Sequence, residues 1–142
     1  MKLREIMTPD VACVGPEDTL REAAEKMRSL NVGPVPVCDN DRLVGMLTDR
    51  DIVVRAIAEG HDPRTTTVRE AMSAGVDYCF EDEDATAAAH KMQEKQIRRL
   101  AVLNRDKRLV GIVSLGDLAV RTDRDAEAGE ALEGISEPAK PR

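Results

Sequence analysis

The chain repeats itself. Lys2-Leu3-Arg4-Glu5-Ile6-Met7 returns as Thr67-Val68-Arg69-Glu70-Ala71-Met72, and Ala23-Ala24-Glu25-Lys26-Met27 returns as Ala88-Ala89-His90-Lys91-Met92. Leu43-Val44-Gly45-Met46-Leu47-Thr48-Asp49-Arg50-Asp51 returns as Leu109-Val110-Gly111-Ile112-Val113-Ser114-Leu115-Gly116-Asp117, with one extra residue in the loop before Leu109. A unit of about 60 residues is only marginally stable alone, so two copies are expected to fuse into one pseudo-twofold body. A duplicated fold of this kind concentrates function where the copies meet and argues against a single conventional active site.

Within each copy the pattern reads strand, helix, strand, strand, helix. In the first, Val11 to Val14 form a short extended run. Asp18 or Thr19 caps a helix, with Glu22 completing a Thr-x-x-Glu capping box, and Leu20, Ala23, Ala24, Met27 and Leu30 fall at helical spacing. Val32 to Val37 and Leu43 to Leu47 flank the turn residues Asp39-Asn40-Asp41 as a hairpin. Thr48 opens a second helix through Ile52, Val53, Ala56 and Ile57, and Gly60 stops it. In the second copy Val76 to Phe80, Asp84 to Gln96, Ile97 to Leu103, Leu109 to Val113 and a helix from Ser114 to about Thr122 take the same places. The boundaries are therefore residues 1–62 for the first repeat, 63–66 for a linker, 67–122 for the second repeat and 123–142 for an acidic tail, read as a frayed helix followed by disorder.

Composition removes several function classes. The net charge is −6, from 21 basic and 27 acidic residues, which argues against nucleic acid or an anionic membrane as partner. Tyr78 and Phe80 are the only aromatic residues, so base stacking has almost nothing to work with. No apolar run approaches the ~20 residues that cross a bilayer and nothing reads as a signal peptide, which makes a cytoplasmic protein the expectation. No Gly-x-Ser-x-Gly elbow, Walker loop or His-Glu-x-x-His is present, so no enzyme is expected. His61 and His90 lack metal-ligand spacing, and no metal is expected.

The doubled close of each copy is the best candidate for chemistry. Gly45-Met46-Leu47-Thr48-Asp49-Arg50-Asp51 and Gly111-Ile112-Val113-Ser114-Leu115-Gly116-Asp117 each end a strand in a hydroxyl residue where a helix begins. Unpaired amides there suit phosphate, and Asp51 and Asp117, one turn in, suit the two hydroxyls of a ribose. Thr-x-x-Asp and Ser-x-x-Asp are equally capping boxes that close a helix with no ligand at all. Arg98-Arg99 stands where the first copy has Gly33-Pro34, so only one copy offers guanidinium groups to a phosphate; the alternative is a solvated strand end. Arg50 reaches a phosphate or pairs with Asp49 or a tail carboxylate.

With Met7-Thr8-Pro9, Asp18-Thr19-Leu20, Val35-Pro36-Val37 and the Gly-h-h-Thr/Ser-x-x-Asp close falling in order, the chain resembles a pair of CBS domains, or Bateman module, over about residues 1–122. The resemblance implies an α/β (α+β) fold of tandem β-α-β-β-α repeats packed as a pseudo-twofold pair. It implies a non-catalytic regulatory module that takes AMP, ADP or ATP in a cleft between the repeats. Thr48 and Ser114 would sit by phosphate, Asp51 and Asp117 by ribose, and Val11, Val35, Val76 and Leu100 around the base, with no cofactor required. It also implies a homodimer through the helices after Thr48 and Ser114, acting on a regulated protein the sequence does not name. Pro36 is replaced by Ala101 and Thr8 by Ser73 in the second copy, departures that argue for one better site rather than two equal ones.

Three cysteines, Cys13, Cys38 and Cys79, form no CxxC pair. Cys13 and Cys38 lie on strands that a strand-helix-strand unit sets side by side in parallel, so they read either as a disulfide that ties a strand pair and answers to redox state, or as two reduced thiols. Cys79 matches Val14 in the repeat and faces the other side of its strand. Two readings stand: an adenine-nucleotide sensor, and a ligand-free interaction dimer.

Overall fold

The computed structural model describes residues 1–121 and Ile135; the expectation for the tail lies outside the described residues apart from Ile135. The elements are α1 (Leu3–Ile6), β1 (Thr8–Pro9), α2 (Leu20–Leu30), β2 (Val35–Asp39), β3 (Arg42–Leu47), α3 (Asp49–Ile52), α4 (Val68–Ala71), β4 (Tyr78–Phe80), α5 (Ala85–Lys95), β5 (Arg99–Leu103), β6 (Leu109–Ser114) and α6 (Leu115–Arg121). A π-helical stretch, Val53–Ile57, continues α3.

Two compact units result, and they do not coincide with the sequence repeats: one joins residues 1–11 to 77 onward, the other spans 12–76. Each body of one repeat is completed by the opening segment of the other. In the first unit the sheet runs β1-β6-β5-β4, with Thr8 opposite Ile112 and Pro9 opposite Gly111. Leu3 donates to the Glu83 carbonyl at 2.9 Å and Ala85 to that of Met1 at 2.8 Å. In the second unit Met46 and Ser73 exchange both backbone hydrogen bonds at 2.9 Å, Val68 donates to the Asp18 carbonyl at 2.8 Å and Leu20 to that of Thr66 at 2.9 Å.

The expected strand at Val11 to Val14 reduces to one residue. Only Val14 pairs, in parallel with Val37, because the preceding chain is committed elsewhere through Thr8–Pro9. Its counterpart β4 runs parallel to β5, with Cys79 opposite Val102. The two hairpins, β2-β3 and β5-β6, are antiparallel with matching irregularities at Val37/Cys38 and Val102/Leu103.

The helices start and stop for local reasons. Thr19 caps α2 by accepting from the Glu22 amide at 3.2 Å, and Asp84 caps α5 by accepting from the Thr86 amide at 2.9 Å. Asn31 and Gln96, both left-handed, end them, a conformation polar residues tolerate better than branched ones. Leu20, Ala23 and Met27 of α2 join Val35, Val37 and Leu47 in one core; Ala85, Ala88, Ala89 and Met92 of α5 join Leu3, Ile6, Leu100, Val102 and Val113 in the other, with Ile135 packed against it. Small alanines on α5 let the helix lie close to the sheet, which suits a chain with almost no aromatic bulk to fill space.

Candidate functional site

Each β-hairpin delivers a hydroxyl residue to the start of a helix, and the two copies do so alike. Thr48 donates its amide to Asp51 Oδ2 at 3.0 Å and accepts the Asp51 amide on Oγ1 at 3.0 Å. Ser114 donates to Asp117 Oδ2 at 2.9 Å and accepts the Asp117 amide on Oγ at 3.1 Å. Both motifs are therefore reciprocal capping boxes, satisfied within themselves. Each aspartate still has a second carboxylate oxygen. Oδ1 of Asp51 lies 3.8 Å from Arg55 Nε, on a side chain 15% exposed, and Arg55 also donates to the carbonyls of Ala71 and Met72 at 3.3 and 3.2 Å. Asp117 Oδ1 has no partner among the described residues.

Gly45 and Gly111 have a packing cause. A Cβ on Gly111 would stand 2.7 Å from the Thr8 carbonyl oxygen and from Met7 Sδ; one on Gly45 would stand 2.8 Å from the Ser73 oxygen and from Met72 Sδ. The exchanged segment of the other repeat crosses each hairpin there, and only glycine lets the backbones approach.

The remaining candidates divide between the units. Arg99 lies directly across from Ser114, and the carbonyl of Arg98 accepts the Leu115 amide at 2.9 Å. Arg98, Arg99, Ser114 and Asp117 thus meet at one end of β5-β6, and both arginines are exposed. Leu100 beside them is 1% exposed and part of the core, as is Val35 in the other unit, so only their backbone atoms can face a ligand. Val11 belongs to the unit that carries Ser114 and Val76 to the unit that carries Thr48; both are half-buried. Arg50 is exposed, and its amide, rather than its guanidinium, bonds Asp49 Oδ1 at 3.0 Å.

Cys13 and Cys38 are neighbours, brought together by the Val14 amide on the Pro36 carbonyl at 3.0 Å and the Cys38 amide on the Val14 carbonyl at 2.9 Å. Both are free thiols. Burial, and then the neighbouring Cys13 sulfur, push the Cys38 thiol up to about 12. Cys79 sits in the opposite core, where burial and then Glu83 raise it to about 11. Two lysines that the sequence reading passes over hold these strands: Lys26 Nζ donates to the Cys13 carbonyl at 2.9 Å, and Lys91 Nζ donates to that of Tyr78. Their signal was identical placement in both copies. His61 and His90 are exposed, and among the described residues no three His, Cys, Asp or Glu side chains are grouped to hold a metal ion. Nor is any described helix long and apolar enough to cross a membrane.

Comparison with known proteins gives this geometry its family. The CBS domain model matches twice, at residues 3–57 and 68–121. The chain is 43% identical over 134 residues to the CBS domain-containing protein YhcV of Bacillus subtilis, covering 94% of each. It is 44% identical over 117 residues to hypoxic response protein 1 of Mycobacterium tuberculosis, covering 82% of this chain and 81% of that one. A crystal structure of hypoxic response protein I, with two coordinated zinc ions, superposes with a TM-score of 0.78 at 41% identity, over 86% of this chain and 99% of that one. CBSX2 in complex with AMP matches at 0.71 and 25% identity, over 83% and 93%. The CBS pair of MJ0100 from its complex with 5′-methylthioadenosine and S-adenosylmethionine matches at 0.72 and 28%, over 84% and 97%. With both repeats matched, their capping boxes intact and relatives covered nearly end to end, this chain belongs to the CBS domain family, as a tandem pair.

Proposed function

We propose that this CBS pair is a non-catalytic regulatory sensor for an adenine nucleotide, AMP, ADP or ATP, taken best by the unit that carries Ser114. The observation that supports it is the meeting of Arg98, Arg99, Ser114 and Asp117 at one end of β5-β6. Arginine forks suit phosphate oxygens, the Ser114 hydroxyl adds a donor, and Asp117 Oδ1 accepts from ribose hydroxyls while Oδ2 keeps the cap. Backbone around Val11 and Leu100 holds the base. Thr48, Asp51, Arg50, Val35 and Val76 are the corresponding set in the other unit. AMP in the complex with CBSX2, and adenosine compounds in that with MJ0100, support the ligand class.

The nucleotide is a regulatory ligand and not a required cofactor, and the protein acts in the cytoplasm on another protein. Sensing requires that the ligand bind one conformation better than another. Val53, Val54 and Ile57 after Thr48, and Val120 after Ser114, are exposed apolar residues and support a homodimer through those helices. Calorimetry with AMP, ADP and ATP tests the reading. Heat of binding with a raised melting temperature is expected, and Asp117→Ala should abolish both for the cost of a cap, about 1 kcal/mol. No heat and no melting shift at millimolar nucleotide refutes it.

The pairing of Val14 with Val37, which makes Cys13 and Cys38 neighbours, favours a second reading, a ligand-free interaction dimer in which an external thiol oxidant removes two electrons and two protons to join the sulfurs. The bridge would tie Val14 to β2 covalently.

A further inference from the structure

The two copies differ where the approach to the hairpin's first strand meets the first residue of the helix that follows the hairpin. In the second copy these are Arg98 and Leu115, joined by the Leu115 amide on the Arg98 carbonyl at 2.9 Å. In the first they are Gly33 and Asp49. A Cβ on Gly33 would stand 3.0 Å from Asp49 Oδ1 and 3.2 Å from both its Cγ and Oδ2. The carboxylate therefore lies flat over Gly33, in the space from which Arg98 begins in the other copy. Asp49 Oδ1 is pinned there by the Arg50 amide at 3.0 Å. Neither Oδ1 nor Oδ2 of Asp49 has a side-chain donor among the described residues.

From this we infer that Asp49 is a specificity residue that closes the first copy's half-site to phosphate, so that the half-site takes uncharged adenosine compounds while the second copy takes the nucleotide. The inference rests on the adenine-nucleotide reading and names the ligand class of each copy. The charges support it. Counting the side chains at the matched positions, and leaving aside the aspartate common to both, the first copy carries Asp49 and Arg50 and sums to zero, with the negative group lying over Gly33. The second carries Arg98 and Arg99, with Leu115 and Gly116 opposite, and sums to +2; Asp49, Arg98 and Arg99 are all exposed. A carboxylate about 4 Å from a bound phosphate in partly screened surroundings weakens binding roughly tenfold or more. It costs an uncharged nucleoside almost nothing. Asp51, the ribose acceptor, closes its cap through Oδ2 as Asp117 does, and Arg55 Nε at 3.8 Å from its Oδ1 is beyond hydrogen-bond range, so base and ribose recognition stay alike in the two copies.

Adenosine and AMP share base and ribose and differ only in the phosphate, which makes them the probes. Calorimetry on the full chain should give AMP at one per chain and adenosine at two. Asp49→Asn, which removes the charge and keeps the shape, and Asp49→Leu, which installs the second copy's residue, should each raise AMP to two per chain and leave adenosine unchanged. Asp51→Ala should remove one adenosine and no AMP from the wild-type count. Melting temperatures of the variants establish that they fold. Two AMP per wild-type chain at similar affinity overturns the inference and leaves the nucleotide reading intact, as does an AMP count that stays at one in both Asp49 variants, or adenosine bound only once. No heat with either probe in any variant overturns the nucleotide reading and takes this inference with it.

Discussion

Gly111→Ala tests the exchanged segment directly. The added Cβ would meet the Thr8 carbonyl oxygen and Met7 Sδ at 2.7 Å, and Met7 Cγ at 3.1 Å. The methionine end swings aside cheaply, but the Thr8 oxygen is backbone of β1, fixed by its pairing opposite Ile112. Relief requires β1 to retreat by roughly half an ångström or more, an overpacking strain of about 1–3 kcal/mol. With only two residues in β1, that retreat also weakens a ladder hydrogen bond worth about 1 kcal/mol net. The sum is about 2–4 kcal/mol, and at roughly 3 °C per kcal/mol for a chain of this size the melting temperature falls by about 6–12 °C. Gly45→Ala, with contacts of 2.8 Å to Ser73 and Met72, should fall by nearly as much. Gly116→Ala in the same motif is the control: its nearest neighbour is Ser114 Oγ at 3.6 Å, and alanine in a helix gains up to about 1 kcal/mol. Calorimetric melting reads all three. A Gly111→Ala protein that melts within about 2 °C of wild type, or a Gly116→Ala protein that falls alongside it, would refute the crossing of the exchanged segment as the reason for the glycine.

Two further outcomes follow from charge and burial. Cys38, raised from an ordinary value near 9 to about 12, stays protonated in the fold while the unfolded thiol ionises. Its contribution to stability is complete below about pH 9 and is lost as pH rises toward 12, so alkaline unfolding should begin at higher pH in Cys38→Ser; mass spectrometry after alkylation without reductant, labelling both Cys13 and Cys38, argues against a bridge. Asp84 works in the opposite sense. The Thr86 amide and then the amino terminus hold its carboxyl at about 2, so its stabilising contribution is present above its unfolded value of 3.8 and lost as pH falls toward 2. Asp84→Asn should flatten that limb of an acid titration followed by circular dichroism, and an unchanged limb counts against the contact.

What the sequence disclosed was local or periodic. Thr48-x-x-Asp51 and Ser114-x-x-Asp117 predict their own capping boxes because cap and partner are three residues apart. The helix from Asp84 to Gln96 is bounded by the very residues that cap it. The parallel neighbours Val14 and Val37 follow from the helical crossover of a strand-helix-strand unit. What it hid was distant. Thr8–Pro9 shows no strand periodicity in two residues, and its partner lies about a hundred positions away, so β1 was invisible and Val11 to Val14 was read as the strand in its stead. The glycine of the hairpin looked like part of a ligand motif when its cause is the crossing of a backbone from the other repeat. Lys26 and Lys91 carry no assignment in the sequence, since nothing local says that a strand carbonyl waits at the end of each side chain.

The exchange of opening segments also sets an order of events during synthesis. Residues 12–76 are contiguous, so the second unit holds everything it needs once Ser73 has left the ribosome. Leu3, Ile6 and Thr8 leave first, yet Gly111, Ile112 and Val113, against which they pack and pair, come about a hundred residues later. At about 5–20 residues per second, this segment waits on the order of 5–20 s for its sheet, with Leu3 and Ile6 uncovered meanwhile. A slowing of translation just before the codon for Leu109 therefore prolongs the exposure of Leu3 and Ile6 and leaves residues 12–76 untouched.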